Sequence, residues 1–300
     1  MKFFWLLLLP GFWLSAQDHG SIDNKPQGGN NMQTAPETVP KEFFPFGQPL
    51  KLVKQEDRSP KEVFVLGVYA SAVHAKWYPP EGKPVEALAV ASEPEIFWNG
   101  GNADKIIKQI DVPSEAGRLE PADEKYNGPS GRTLDELYLK PLGLSLSRDN
   151  VWLCDLVPRS FMNNKQKKAI KNRYTPLCEK HDLPEASIRE RPPNLIKEDR
   201  RNEILAELEE SQAKTIILLG DDPIKWFLSH VSERKETRLA EFGRRTYGDP
   251  ISVTINDKEY TVIPLVHVRQ AGGLGPHNPY WRWRHSKWVE KMNKRQLSES

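Results

Sequence analysis

Residues able to do chemistry lie at the ends of apolar runs in this chain. His267 closes a β-branched run that begins at Thr261, and Arg269, Gln270 and a glycine-rich loop carrying one apolar residue, Leu274, follow it. Asp155 sits late in a second run, VWLCDLV (Val151 to Val157). A third run, Glu62 to Leu66, leads into Gly67-Val68-Tyr69-Ala70-Ser71, with His74 shortly beyond. An imidazole at a strand end can donate to an anion forming in a water-poor pocket. A carboxylate there can accept N–H groups or order a water. The structural alternative is a side chain that merely caps its strand. Ligand sites of open α/β sheets lie outside the carboxyl ends of strands, which makes these positions the ones to follow.

Other chemistries find no support. Cys154 and Cys178 are the only cysteines, too few for a disulfide framework, a four-cysteine zinc site or an all-protein iron–sulfur site. No HExxH, CxxC or GxxxxGK[ST] pattern occurs, and neither a metal nor a cofactor is expected. The net charge of +2 leaves any affinity for polyanions to local clusters. Arg159 to Arg173, which includes Lys165 and Lys168, is one such cluster, with basic and no acidic residues. The tail WRWRHSKWVEKMNKR (Trp281 to Arg295) is another. Both fit a phosphate backbone, and both also fit a solvated face. Trp281, Trp288 and Met292 recur at helical spacing and would seat a terminal helix on the core.

The elements that must position these residues alternate between strand and helix. Strands are predicted at Glu62–Leu66, 87–90, 96–98, Val151–Val157 and Thr215–Gly220, with a hairpin over Ile251–Val262 turning at Asn256-Asp257. Helices are predicted over Asn102–Ile110, from near Gly131 with Leu134, Leu137 and Tyr138 on one face, over Glu198–Ser211, and after an N-cap at Asp222-Pro223. Tyr69–Pro84 and Pro113–Ser130 read as loops, and Pro184–Pro193 as a linker-like passage. Alternation of this kind argues for a three-layer α/β/α sandwich with a central, mainly parallel sheet. One α/β domain over residues 41–292 is the simplest account, with a short tail over 293–300.

The N-terminus supports two readings. MKFFWLLLLPGFWLSAQ has the lysine, apolar run and small residues of a secretory leader, and is short for a membrane span. A polar, Gly/Asn/Pro-rich linker follows to Pro40. Translation from Met32 would instead leave a leaderless cytoplasmic protein, whereas a genuine leader would make it periplasmic or secreted. No membrane segment is expected in the mature chain in either case.

Taken in order, GVYAS, YNGPSG, VWLCDLVP, the LLG of TIILLG and PLVHVR resemble motifs of the uracil-DNA glycosylase superfamily, particularly its iron–sulfur-associated branch. The resemblance spans roughly residues 62 to 290. It implies hydrolysis of the bond between a damaged or deaminated base and its sugar in DNA, duplex or single-stranded, by a monomer. It also implies that His267 stabilises the departing base and that Tyr126 stacks on it, worth about 1–3 kcal/mol. Gly67, Tyr69, Ala70, Ser71 and Asn127 would line the base pocket. Leu274 would fill the gap left by the flipped base, while Arg269, Gln270, Lys165 and Lys168 would hold phosphates.

The departures are informative. The GVYAS segment lacks the acidic or amide residue that many members use to position water. The cluster-binding cysteines are absent, Asp155 stands where asparagine is usual, and valine replaces proline after His267. An ionised Asp155 accepts only, and suits an edge rich in donors unless a raised pKa lets it donate. Asp155 could alternatively order the water, with His74 a second candidate. A binding protein without turnover and an exported α/β protein with another ligand are the rival readings.

Overall fold

The computed structural model describes residues 42–145 and 149–299, and the predicted leader and linker lie outside them. Among the described residues the apolar runs become strands of a five-stranded sheet, ordered β5-β1-β6-β8-β7. These are β1 (Val63–Tyr69), β5 (Val151–Val157), β6 (Thr215–Leu219), β7 (Ile251–Ile255) and β8 (Lys258–Leu265). β5, β1, β6 and β8 run parallel, and β7 closes the edge as an antiparallel partner of β8. Their hairpin turns at Asn256 and Asp257, with φ of 47° and 60°, the left-handed pair of a two-residue turn matching the strand twist. Pro264 lies beyond the end of β7, on a stretch with no antiparallel partner to lose a hydrogen bond.

Helices cover both faces, as the α/β sandwich requires. The α-helices among the described residues are α1 (Ala103–Lys108), α2 (Pro129–Leu134), α3 (Asn164–Ala169), α4 (Thr175–His181), α5 (Glu198–Ser211), α6 (Asp221–Pro223), α7 (Ser229–Val231), α8 (Val268–Ala271) and α9 (Pro279–Glu299), of which α1, α3 and α4 pack in a separate apolar cluster. On one face, Trp152 Nε1 donates to Glu207 and Cys154 meets Arg200, both residues of α5. Strand alternation sends Gly67 and Asp155 to the other face, where Phe97 and the start of α2 lie. The apolar core runs through the sheet, with Phe64, Leu66, Ile216 and Leu218 fully buried. Among the described residues no helix is long and apolar enough to cross a membrane.

Four expectations need correction. The predicted loop Tyr69–Pro84 contains β2 (Ala72–Tyr78), the middle strand of a second sheet ordered β3-β2-β4, with β3 (Val85–Ser92) and β4 (Arg118–Pro121). Its alternation was masked by small alanines; Val73, Ala75 and Trp77 are nonetheless fully buried against Leu88, Val90 and Tyr174. β4 likewise emerges from the supposed polar loop 113–130. The predicted strand at 96–98 is a turn, with Phe97 at φ 50°. Ile96, Phe97 and Trp98 are apolar because they plug the seam between the two cores, not because they join a ladder. Finally, α6 is capped by Gly220, not by Asp222, and Asp221 turns aside to accept from Leu239 N at 2.8 Å.

Candidate functional site

Strand register brings the chemistry to one edge. Gly67 lies beside Asp155 and Leu219 beside Leu265, so β1, β5, β6 and β8 end at nearly one level. Beyond that level come Tyr69-Ala70-Ser71, Gly220 and His267. Across the parallel strands, the main chains at Asp155 and His267 are three strand spacings apart, roughly 14 Å.

Gly67 is small for a steric reason. A Cβ at this position would overlap both the Asp155 carboxylate and the Phe97 ring. The missing side chain therefore lets an acid and an aromatic share one corner. Asp155 is 3% exposed, and among the described residues no donor hydrogen-bonds its carboxylate. Burial pushes its pKa up to about 7, with Arg200 opposing and Glu207 adding to the rise. Behind the strand, Arg200 Nη2 holds the Asp155 carbonyl at 2.8 Å while Nη1 bonds Glu207 at 3.0 Å. Cys154 points to this opposite side, and burial raises its thiol well above the ordinary value.

His267 occupies the other side of the edge. Its Cβ lies 3.0 Å from where a side chain on Gly220 would begin, and Gly220 N donates to Leu265 O at 2.8 Å. His267 Nδ1 accepts from Arg269 N at 3.2 Å, which leaves Nε2 to carry the proton of the neutral ring. Burial, then Arg269 and Arg191, lower its pKa to about 4. The imidazole is thus a neutral Nε2–H donor across the ordinary pH range. Arg191, held by Asp222 at 2.8 Å, also stands 6.0 Å from the Tyr69 ring and links the two sides of the edge.

A cleft of about 430 Å³ opens beside Tyr69, Ser71 and His74 and reaches Phe161, Asn163 and Arg191. Tyr69 is 41% exposed at its rim and meets Phe161 edge-on at 5.5 Å. Ser71 is fixed at its floor: its N–H donates to Glu93 at 2.9 Å and its carbonyl accepts from Ser160 Oγ.

Other expected residues are placed differently. Tyr126 makes no hydrogen bond or ring contact with Asp155 or His267 among the described residues, and its ring is met by Lys125 Nζ at 5.0 Å. Phe97 occupies the aromatic position over Gly67 instead. Asn127 is a brace: its amide bonds His74 N and O at 2.8 and 2.9 Å. His74 lies on β2, not in a loop, and among the described residues its buried Nδ1 makes no hydrogen bond of good geometry. Burial lowers its pKa to about 4. Arg269 Nε donates to Leu274 O at 2.8 Å, and Gln270 accepts from Asn278 N at 2.7 Å, so both side chains shape the loop. Leu274 is half-buried on that loop, while Lys165 and Lys168 are exposed on α3.

Phe97, Glu93 and Arg191 escaped the sequence reading. Phe97 fell inside the predicted strand 96–98; its left-handed backbone, unusual for a bulky residue, is the available structural signal. Glu93 and Arg191 carry none, since each becomes a neighbour of the site only through tertiary contacts. Among the described residues no group of three or more His, Cys, Asp or Glu is arranged to hold a metal ion. Neither a protein-family model nor a curated protein matches the chain.

Proposed function

We propose that the chain is a DNA glycosylase-like hydrolase that binds an extruded nucleobase between Asp155 and His267 and cleaves its bond to the sugar. The observation that carries this reading is a neutral imidazole donor on the same sheet edge as a buried carboxyl and an aromatic ring. Cleavage leaves negative charge on the base, and a donor already aimed at a base oxygen stabilises that charge without reorganisation. A protonated His267 would donate more strongly but would cost more to bury, so the neutral form suits a buried site.

Asp155 then has two states with different uses. With a pKa near 7, its protonated form both donates and accepts, as an amide does, and fits a uracil-like edge. Its ionised form accepts only, and suits amino-bearing edges or the ordering of water. Raising the pH through about 7 should therefore weaken binding of a uracil-type base while sparing one that presents donors. Phe97 supplies the stacking face. Tyr69 and Phe161 at the cleft, and Leu274 on the loop after His267, would take up the neighbouring bases and the gap in the stack.

The test is release of free base from single- and double-stranded oligonucleotides carrying uracil, hypoxanthine or an alkylated base. Wild type should release at least one of them, and His267→Ala should lose about 10²-fold or more in rate. Equal rates in the two proteins would remove His267 from the mechanism.

A second reading is supported by one feature, the absence of any carboxylate or amide within Gly67–Ser71. A protein that binds such bases without turnover would retain Asp155, Phe97 and His267 and need no water-activating group. It would give binding to modified oligonucleotides with no abasic product from any lesion.

A further inference from the structure

β8 stops bonding to its neighbour at Leu265, yet His267 must be held two residues farther on. The intervening peptide is gripped from both sides. Val266 N donates to Tyr247 Oη at 3.1 Å, and Val266 O accepts from Tyr138 Oη at 2.8 Å. Two phenols therefore continue the work of the ladder where the strand leaves the sheet.

The grip has a further anchor. Tyr247 Oη lies 2.7 Å from His285 Nδ1, and His285 Nε2 lies 2.9 Å from Leu137 O. The carbonyl can only accept, so Nε2 carries the proton and Nδ1 accepts from the phenol. Tyr247 therefore accepts from Val266 and donates to His285, with no freedom left to its hydroxyl hydrogen. The three side chains are buried: Tyr138 and His285 are at most 1% exposed and Tyr247 is 7% exposed. The His285 ring lies between Tyr138, at a centroid distance of 4.2 Å, and Trp288, at 5.2 Å. Trp288 Nε1 in turn bonds Gly248 O at 3.3 Å, beside Tyr247.

A buried polar chain of this length would be costly if any member were unpaired. We infer that Tyr247 and His285, with Tyr138, form a positioning relay that fixes the Val266 peptide and thereby aims the His267 imidazole. Tyr247, His285 and Tyr138 are positioning residues; none touches the reacting base. The inference rests on the reading of His267 as the functional donor, but its physical core, control of His267 geometry, is measurable without any substrate.

The experiment is therefore in two arms on the full chain. In the first, histidine-selective ¹⁵N labelling and NMR follow the His267 ring, identified by its loss in His267→Gln. Tyr247→Phe removes one oxygen and keeps the ring. The expected result is a changed or exchange-broadened His267 Nδ1/Nε2 pair, because Arg269 N would no longer be presented to Nδ1 at a fixed distance. His267 resonances identical to wild type in a folded Tyr247→Phe would overturn the proposal. Should Tyr247→Phe fail to fold, Tyr138→Phe, which cuts only the bond to Val266 O, is read by the same criterion.

In the second arm, base release is measured for the same variants. The relay predicts a fall of about tenfold or more in kcat with KM little changed, since misaimed donors are lost mainly in the transition state. A loss confined to KM, seen as a rise in KM at unchanged kcat, would count against the relay. Absence of base release from wild type would reject the glycosylase reading, and the NMR arm would still decide the relay.

Discussion

Where Gly67 leaves space, Asp155 acquires an environment that no surface carboxylate has, and its charge becomes conditional on pH. The folded pKa near 7 lies above the ordinary value of 3.8, so the native state binds the extra proton between those limits. Stability from this group is present at low pH and is lost as the pH rises through about 7. Asp155→Asn removes the titration and nearly keeps the shape. Its melting temperature should exceed that of wild type at about pH 8.5 and converge on it towards about pH 4; a constant difference across that range would refute the assignment. Gly67→Ala should act in the opposite sense, displacing Asp155 or Phe97 and costing about 1–3 kcal/mol by overpacking, read by denaturant unfolding. At this scale the sequence exposed Asp155 and His267, because polar residues closing apolar runs stand out. It could not expose Phe97, whose distinction from other buried aromatics is a backbone angle. It also favoured Tyr126, which shares a Gly/Pro-rich loop with many surface tyrosines.

Elements carry their own constraint at the end of β6. Gly220 has φ 93° and ψ −170°, a region essentially closed to residues with a Cβ, and it backs directly onto His267. Gly220→Ala should cost about 1–3 kcal/mol in urea unfolding and should disturb the His267 NMR signals, whereas the same substitution at exposed Gly101 should leave them alone. The parallel strands were legible because each is a continuous apolar run, as expected of strands buried on both faces. α5 was legible from its periodicity, and the β7–β8 hairpin from the Asn-Asp turn. β2 was not, since its alternation passes through alanines and His74 and is followed by Pro79-Pro80. Its identity depends on pairing with β3 and β4, which is information from elsewhere in the chain.

Over the whole molecule, His74, His267 and His285 each have a pKa lowered to about 4 by burial. For all three, the unfolded chain binds protons between about pH 6.5 and about pH 4 that the native state refuses. Stability must then fall as the pH falls through that window, opposing and outnumbering the contribution of Asp155. Urea midpoints should drop steadily from about pH 6.5 to about pH 4.5, and His285→Gln should flatten the slope; a flat wild-type profile would contradict the assigned burial. The overall α/β class was legible from alternation alone. The relay behind His267 was not, because its members come from three separate stretches and meet only in the packed core.

The relay also imposes an order of events during synthesis. Asp155, Phe97, Gly220 and His267 all leave the ribosome before α9, which brings His285 and Trp288. Domains generally begin folding as they emerge, so a nascent chain ending before Pro279 would hold every pocket residue while Tyr247 lacked its acceptor. Such a chain should form the parallel sheet yet leave His267 unaimed, so that the geometry of this imidazole is completed only by the arrival of the helix that follows it.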